Sequence, residues 1–114
     1  MSLSDVKLAK ICRDFALEKK ALNPLILDLS KLNSPASFFL ICSGESEPQL
    51  KAIADSILTG LKVQHGLRAA GHEGSSASQW IILDYGSLLV HVMHPEKRRY
   101  YNLENLWRDA KLVK

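Results

Sequence analysis

The chain is predicted to be an α/β protein of the α+β kind, with a mixed sheet of about five strands and helices packed mainly on one side. Two observations support this fold. An almost wholly apolar run is followed by a long helical pattern and then another strand, and short apolar runs joined by turn residues recur elsewhere. With 114 residues, 46% of them hydrophobic and 24% charged, we expect a single domain over residues 1–114.

The first element is predicted to be a helix over residues 4–20, with Ser4 as its N-cap. Its apolar positions recur at helical spacing: Leu8, Ile11, Cys12, Phe15 and Ala16. Cys12 is therefore expected to be a small core residue. Two strands should follow, over residues 24–30 and 37–44. The second is apolar almost throughout, which is typical of an interior strand covered on both faces.

The strongest helical pattern lies between Ser46 and Gly66. Ser46 and Gln49 form an S-x-x-Q capping box, Pro48 stands in the first turn, and Gly66 is a favourable C-terminal stop. One continuous apolar stripe runs along the helix: Leu50, Ile53, Ala54, Ile57, Leu58 and Leu61. Such a stripe is typical of a helix that packs against a core.

The rest of the chain is predicted to contain a short strand over residues 67–71, a polar loop over 72–79 and a hairpin over 79–93. Pro95 can start a helix, and Asn102 can cap another. The last helix would carry three apolar residues on a common face: Leu103, Leu106 and Trp107. The predicted order of elements is therefore α-β-β-α-β-β-β-α-α.

The hairpin is the segment that separates structural from functional residues. If its loop is Tyr85-Gly86, Trp80 lies opposite His91 on the neighbouring strand. One face is then purely aliphatic and must be core: Ile81, Leu83, Leu88, Val90 and Val92. The other face is mixed: Trp80, Ile82, Asp84, Ser87, Leu89, His91 and Met93. A three-residue loop would exchange the two faces.

The mixed face is interpreted as a binding surface. Buried Asp and His side chains would need partners, and a wet surface has little use for Trp, Ile, Leu and Met together. A face that another molecule covers satisfies both conditions, and Trp is a favoured hot spot at such surfaces. The alternative is that the protein's own C-terminal helices cover this face.

Metal binding is not expected. His91 and His94 are three positions apart on a strand and so point to opposite faces. His65 and His72 lie in different local elements with no cysteine partner nearby in sequence. The sequence therefore predicts neither a metal site nor a cofactor.

Catalysis is not expected either. The segment containing Cys42 and Ser43 matches neither a nucleophile elbow nor a phosphate-binding glycine motif. Asp28 and Asp84 are isolated carboxylates, and two-metal phosphoryl chemistry needs a cluster of them. The rival interpretation is a small nucleotidyltransferase-like enzyme or nucleotide binder that uses the Ser43–Ser46 turn and Asp84.

Charge and hydropathy indicate where the protein acts. The formal net charge is +3, and the densest basic run is the triplet Lys97-Arg98-Arg99, interpreted as a solvated helix face. An RNA-binding module using that triplet is a third possibility. No segment predicts a membrane span or a secretory signal, and two cysteines without ligand-like spacing fit free thiols in a reducing compartment. We therefore expect a cytoplasmic location.

Three segments, in this order, resemble the Iojap/RsfS family of ribosomal silencing factors: ICSGESEPQLKAIA, WIILDYGSLLVHVM and RRYYNLENLWRDA. The resemblance covers roughly residues 4–110. The pattern S-G-x-S-x-x-Q in the first segment is weak by itself. In combination with W-x-x-x-D-Y-G-x-x-x-V-H-V and Y-Y-x-L-E-x-L-W it is specific. The resemblance implies a nucleotidyltransferase-like fold without catalytic carboxylates, and no enzymatic activity.

The resemblance also implies a function. The family is expected to bind the large ribosomal subunit through its fourteenth large-subunit protein, to block joining of the small subunit, and to lower translation when nutrients are scarce. Contact with ribosomal RNA would be minor, no membrane is involved, and the free protein would be able to form homodimers. The expected partner-binding residues are Trp80, Asp84, Tyr85, Gly86, Leu89, His91, Met93, Glu96, Tyr100 and Tyr101.

Each expected contact residue has a role. Trp80 would be the apolar anchor, and Leu89 and Met93 would extend its patch. Asp84 and His91 would make polar contacts, Asp84 with a Lys or Arg of a basic ribosomal protein. The turn would be shaped by Tyr85 and Gly86, and the surface extended by Glu96, Tyr100 and Tyr101. Trp107 is expected to be core.

Overall fold

The computed structural model describes residues 3–114, which form a six-stranded mixed sheet with helices on both faces. The elements, in chain order, are α1 (Asp5–Glu18), β1 (Leu22–Asp28), β2 (Phe38–Ser43), α2 (Glu47–His65), β3 (Gly71–Ser75), β4 (Trp80–Asp84), β5 (Leu88–Met93), α3 (Pro95–Tyr101), α4 (Leu103–Leu106) and β6 (Lys111–Val113). The strand order across the sheet is β3-β4-β5-β2-β1-β6. The β2–β5 pair is parallel and the other pairs are antiparallel, so the predicted mixed sheet is confirmed, with six strands instead of about five.

Both long helices begin at their predicted N-caps, and α2 ends at its predicted stop. Ser4 Oγ accepts a hydrogen bond from the Lys7 N–H at 3.3 Å, and Ser46 Oγ accepts one from the Gln49 N–H at 3.2 Å. Gly66 ends α2 in the left-handed conformation, with φ of 61°. The capping box differs in one respect from the expected pattern, because the Gln49 side chain accepts from the Glu45 N–H instead of the Ser46 N–H.

The main core lies between α1, α2 and one face of the sheet, here called the inner face. Cys12 is fully buried there, as predicted, among the apolar stripes of both helices. The aliphatic residues of the hairpin also belong to this core: Ile81, Leu83, Leu88, Val90 and Val92. Every residue of β2 is buried, which confirms its prediction as an interior strand.

Three strand predictions need correction. The strand expected over residues 67–71 and the loop expected over 72–79 are replaced by β3, whose residues are all exposed. Because β3 buries nothing, it has no apolar alternation, and only its pairing with β4 makes it a strand. The strand expected over residues 24–30 begins earlier and contains Pro24 at a register irregularity. The three-residue edge strand β6 was not predicted.

The hairpin register also differs from the predicted one. Trp80 pairs with Met93, whereas His91 pairs with Ile82. The loop is Gly86-Ser87, not Tyr85-Gly86, with a φ of 81° at Gly86, and the Tyr85 N–H donates to the Leu88 carbonyl at 2.9 Å. The register has moved by two residues, and an even shift leaves each side chain on its predicted face.

Candidate functional site

The face of the sheet opposite α1 and α2, here called the outer face, is only partly covered by the chain's own residues. Over β1 and β2 it is covered by Leu103, Trp107 and Ala110, which pack with Phe39 in a second apolar cluster. The Trp107 ring stands edge-on to Phe39 with centroids 6.1 Å apart. The predicted alternative concerned the hairpin face, and there it holds only in part, because the Tyr101 ring of α3 packs against Trp80.

The other half, over β3, β4 and the Leu89 end of β5, is less covered by residues 3–114. We call it the open half-face, and define it by Glu73, Trp80, Ile82, Asp84 and Leu89. Its β4 and β5 members are neither fully exposed nor buried, and Glu73 on the edge strand is exposed. A depression of about 320 Å³ lies here and is lined by Ile82 and Leu89 together with the acidic residues Glu73 and Asp84. This mixture of apolar and acidic side chains is typical of a surface that binds a basic partner.

Trp80 stands at one end of the open half-face and is partly exposed. Its indole Nε1 donates a hydrogen bond to His91 Nδ1 at 3.2 Å. The Tyr101 ring, from α3, packs against the indole with centroids 4.8 Å apart and planes at 47°. The indole is therefore supported by this chain but not enclosed by it.

Two predicted contact residues lie below the surface. Met93 has 0% exposure as a member of the second apolar cluster, and His91 has 5%, with the rings of Phe39 and Trp80 next to it. Met93 is therefore no part of an exposed patch, and contact of His91 with a partner stays a prediction that its 5% exposure does not favour. Burial lowers the pKa of His91 to about 4, so the imidazole is neutral at physiological pH.

The turn residues divide between the two faces. Asp84 is on the open half-face, where its Oδ1 accepts a hydrogen bond from the Gly86 N–H at 2.8 Å. Tyr85 instead points towards the inner face and packs against the main core, and burial raises the pKa of its hydroxyl. The Tyr85 side chain therefore lies off the open half-face, and its contact with a partner stays a prediction. Gly86 shapes the turn, since few residues other than glycine adopt its positive φ.

The residues of α3 continue the surface beyond Trp80. Tyr100 and Tyr101 are exposed by 82% and 48%, and their rings meet edge to face with centroids 5.0 Å apart. Neither tyrosine packs inward fully, and together with Trp80 they form a continuous aromatic row. Glu96 is exposed in the first turn of α3. Leu106, which was expected on a common face with Trp107, is 67% exposed and was missed as a candidate.

The basic triplet is not a uniform solvated face. The Arg98 side chain is only 12% exposed and forms an ion pair with Glu104 at 3.3 Å. Its guanidinium also donates to Ser43 Oγ at 3.1 Å, which fastens α3 to the end of β2. Arg98 is therefore committed to the fold, which leaves Lys97 and Arg99 as the triplet's accessible cations.

The residues of the rival nucleotide site are not brought together. Ser43 pairs with Met93 at one end of the sheet, whereas Asp84 pairs with Leu89 near the other. Four residues of strand separate those two rows, or roughly 13 Å. Across residues 3–114, moreover, no group of three or more His, Cys, Asp or Glu side chains is placed to hold a metal ion.

None of the helices formed by residues 3–114 is both long and apolar enough to cross a bilayer.

Comparison with known proteins gives consistent matches along nearly the whole chain. Residues 2–114 match the family model described as "Ribosomal silencing factor during starvation". Proteins named ribosomal silencing factor RsfS from Halalkalibacterium halodurans and Bacillus subtilis are 37% and 36% identical over 111 residues, covering 97% of this chain and 94% and 93% of theirs. A crystal structure of a Chromobacterium violaceum protein superimposes with a TM-score of 0.86 at 33% identity, covering 92% of this chain and 87% of that one.

Proposed function

The chain belongs to the family of ribosomal silencing factors, and we propose that its open half-face binds the large ribosomal subunit through the fourteenth large-subunit protein. The role of the family is regulatory, not enzymatic. The proposed mechanism is steric: a factor bound where the small subunit docks prevents the subunits from joining. Translation then falls when nutrients are scarce.

The half-covered outer face is the observation that carries this proposal. Ile82 and Leu89 would lose water on binding, at a gain of about 25 cal/mol for each Å² of apolar surface buried. Asp84 and Glu73 line the same depression and supply negative charge on a protein whose net charge is +3. Local acidity within a basic chain favours a basic protein as partner over the phosphate backbone of RNA.

The aromatic row extends the proposed interface onto α3. Trp80 would be the anchor, because its partly exposed indole presents a large apolar area. Its neighbours already restrict the ring, so little conformational entropy would be lost on binding. Tyr101 and Tyr100 continue the surface, with Glu96 at its edge. Met93 and His91 would act from beneath, by supporting the residues that make contact.

The remaining partner assignments follow from the same proposal. Lys97 and Arg99 are available for a minor contact with ribosomal RNA. Before it meets a ribosome, the free protein would form homodimers. Because its target is the ribosome, we place its action in the cytoplasm.

Association of purified subunits tests the proposal. Small and large ribosomal subunits are mixed with the protein, joining is followed by light scattering, and sedimentation shows which subunit retains the protein. Ile82→Lys places a like charge in the open half-face against a basic partner. Val63→Lys is the matched control, because Val63 lies on α2, which packs on the inner face, and is 75% exposed.

We expect the unmodified protein and Val63→Lys to sediment with the large subunit and reduce joining, and Ile82→Lys to do neither. Unchanged joining in the presence of the unmodified protein would contradict the silencing mechanism. Equal inhibition by both lysine variants would contradict the placement of the site on the open half-face.

A further inference from the structure

A buried polar side chain, that of His91, stands among aromatic and aliphatic neighbours on the outer face. His91 lies in the middle of β5, between Ile82 on β4 and Ile41 on β2. Its imidazole stands 4.7 Å from the Phe39 ring and 6.0 Å from the indole of Trp80, measured between centroids. His91 is only 5% exposed, so it is almost completely removed from solvent. Burying a polar group in such a place is unfavourable unless it forms a hydrogen bond.

The hydrogen bond to Trp80 fixes the chemical state of His91. An indole Nε1–H can only donate, so His91 Nδ1 must offer a lone pair and carry no proton. The ring proton then resides on Nε2, which is buried and has no hydrogen-bond partner within residues 3–114. The doubly protonated form would have no acceptor for the indole. Only one neutral tautomer is compatible with this contact.

The indole is held from two sides. His91 Nδ1 fixes the direction of its N–H bond, and Tyr101 packs against its ring. A Trp side chain has two rotatable bonds, and together these contacts select one orientation before any partner arrives. Fixing a contact residue in its bound orientation reduces the entropy lost on binding.

We propose that His91 is a positioning residue for ribosome binding, whose unprotonated Nδ1 holds the Trp80 indole in the orientation that the open half-face presents to its partner. This inference rests on the proposed function, because it gives Trp80 the role of anchor. His91 itself touches no partner and acts only through Trp80. A purely structural histidine would instead contribute volume, which phenylalanine could supply as well.

The hydrogen bond can be tested in the free protein, without ribosomes. In a sample labelled with ¹⁵N, an N–H···N bond transmits a scalar coupling between its two nitrogens. We expect this coupling between Trp80 Nε1 and His91 Nδ1, together with ¹⁵N shifts that place the His91 proton on Nε2. The indole of Trp107 gives the other signal of this type, and Trp107→Phe assigns the two. Absence of the coupling, or a proton on Nδ1, would overturn the inference whatever the ribosome does.

Binding to purified large subunits tests whether the positioning matters. His91→Phe keeps an aromatic ring and removes the acceptor, and we expect affinity to fall about five- to tenfold, mainly through faster dissociation. His91→Asn can place an amide oxygen near the position of Nδ1 and should restore part of the loss. In a Trp80→Phe background, where no indole N–H exists, His91→Phe should change affinity less than about twofold.

The outcomes separate this inference from the proposed function. Equal losses from His91→Phe in both backgrounds would show a merely structural role and overturn the positioning inference. Loss of binding in Trp80→Ala with full binding in His91→Phe would overturn the positioning alone. Full binding by Trp80→Ala would contradict the proposed interface, and with it the use that we assign to His91.

Discussion

Lowering the pH should destabilise this protein through one identifiable group, the buried imidazole of His91. Burial lowers the pKa of His91 from 6.5 to about 4 in the folded protein. The unfolded chain therefore binds the proton first as the pH falls. Stability is lost between about pH 6.5 and about pH 4. Above pH 6.5, His91 does not lower the free energy of unfolding in this way. A difference of about 2.5 pKa units corresponds to about 3 kcal/mol of unfolding free energy.

Urea unfolding of the unmodified protein and of His91→Phe, each at pH 7 and at pH 4.5, measures this contribution. Other titrating groups are common to both proteins and cancel in the comparison. We expect the unmodified protein to lose about 2 to 3 kcal/mol more than His91→Phe between the two pH values. A parallel loss in both proteins would refute a neutral, buried His91.

Three further predictions follow from the same contacts. Asp84→Lys should weaken binding to large subunits more than Asp84→Asn, because it reverses a charge as well as removing an acceptor. Equal effects would contradict a charge pair between Asp84 and a Lys or Arg of the partner. Arg98→Ala should lower the free energy of unfolding by about 2 kcal/mol in urea titration, and by less in a Glu104→Ala background, because Glu104 is one of its partners. Gly60→Ala would bring a Cβ to 2.5 Å from the Phe15 ring, so it should stabilise the protein by less than the roughly 1 kcal/mol that alanine gains over glycine inside a helix, or destabilise it, and the full gain would contradict that packing.

The sequence was most informative where local and tertiary preferences agree. In α2 the cap at Ser46, the apolar stripe and the stop at Gly66 all act within one element, and each is observed. The separation of the hairpin into two faces was equally predictable, because strand side chains alternate strictly. Both predictions depend only on the helical and strand periodicity of apolar residues in the sequence.

Features that depend on distant partners were not predictable. The strand β3 exists because β4 offers an edge for it to pair with, and its own residues carry no burial pattern. The hairpin register depended on whether Gly86 stands first or second in the loop, and glycine is compatible with both positions.

The sequence predicted which residues share the outer face of the hairpin, but not which of them are buried. Alternation places Met93, His91 and Trp80 on the same side of the sheet, and nothing in that pattern tells which of them the chain covers itself. That depended on the second apolar cluster, which Trp107 joins from the far end of the chain. Arg98 illustrates the same limit, since its partners Glu104 and Ser43 become visible only when α3 is packed.

The most direct test of the open half-face is the affinity of Trp80→Ala for purified large ribosomal subunits, compared with Val63→Ala on α2. Urea unfolding of both variants first establishes that each is folded. We expect Trp80→Ala to bind more weakly by about 2 kcal/mol or more, roughly a thirtyfold change, and Val63→Ala to bind like the unmodified protein. Equal affinity of a folded Trp80→Ala variant would contradict the assignment of this surface to the ribosome.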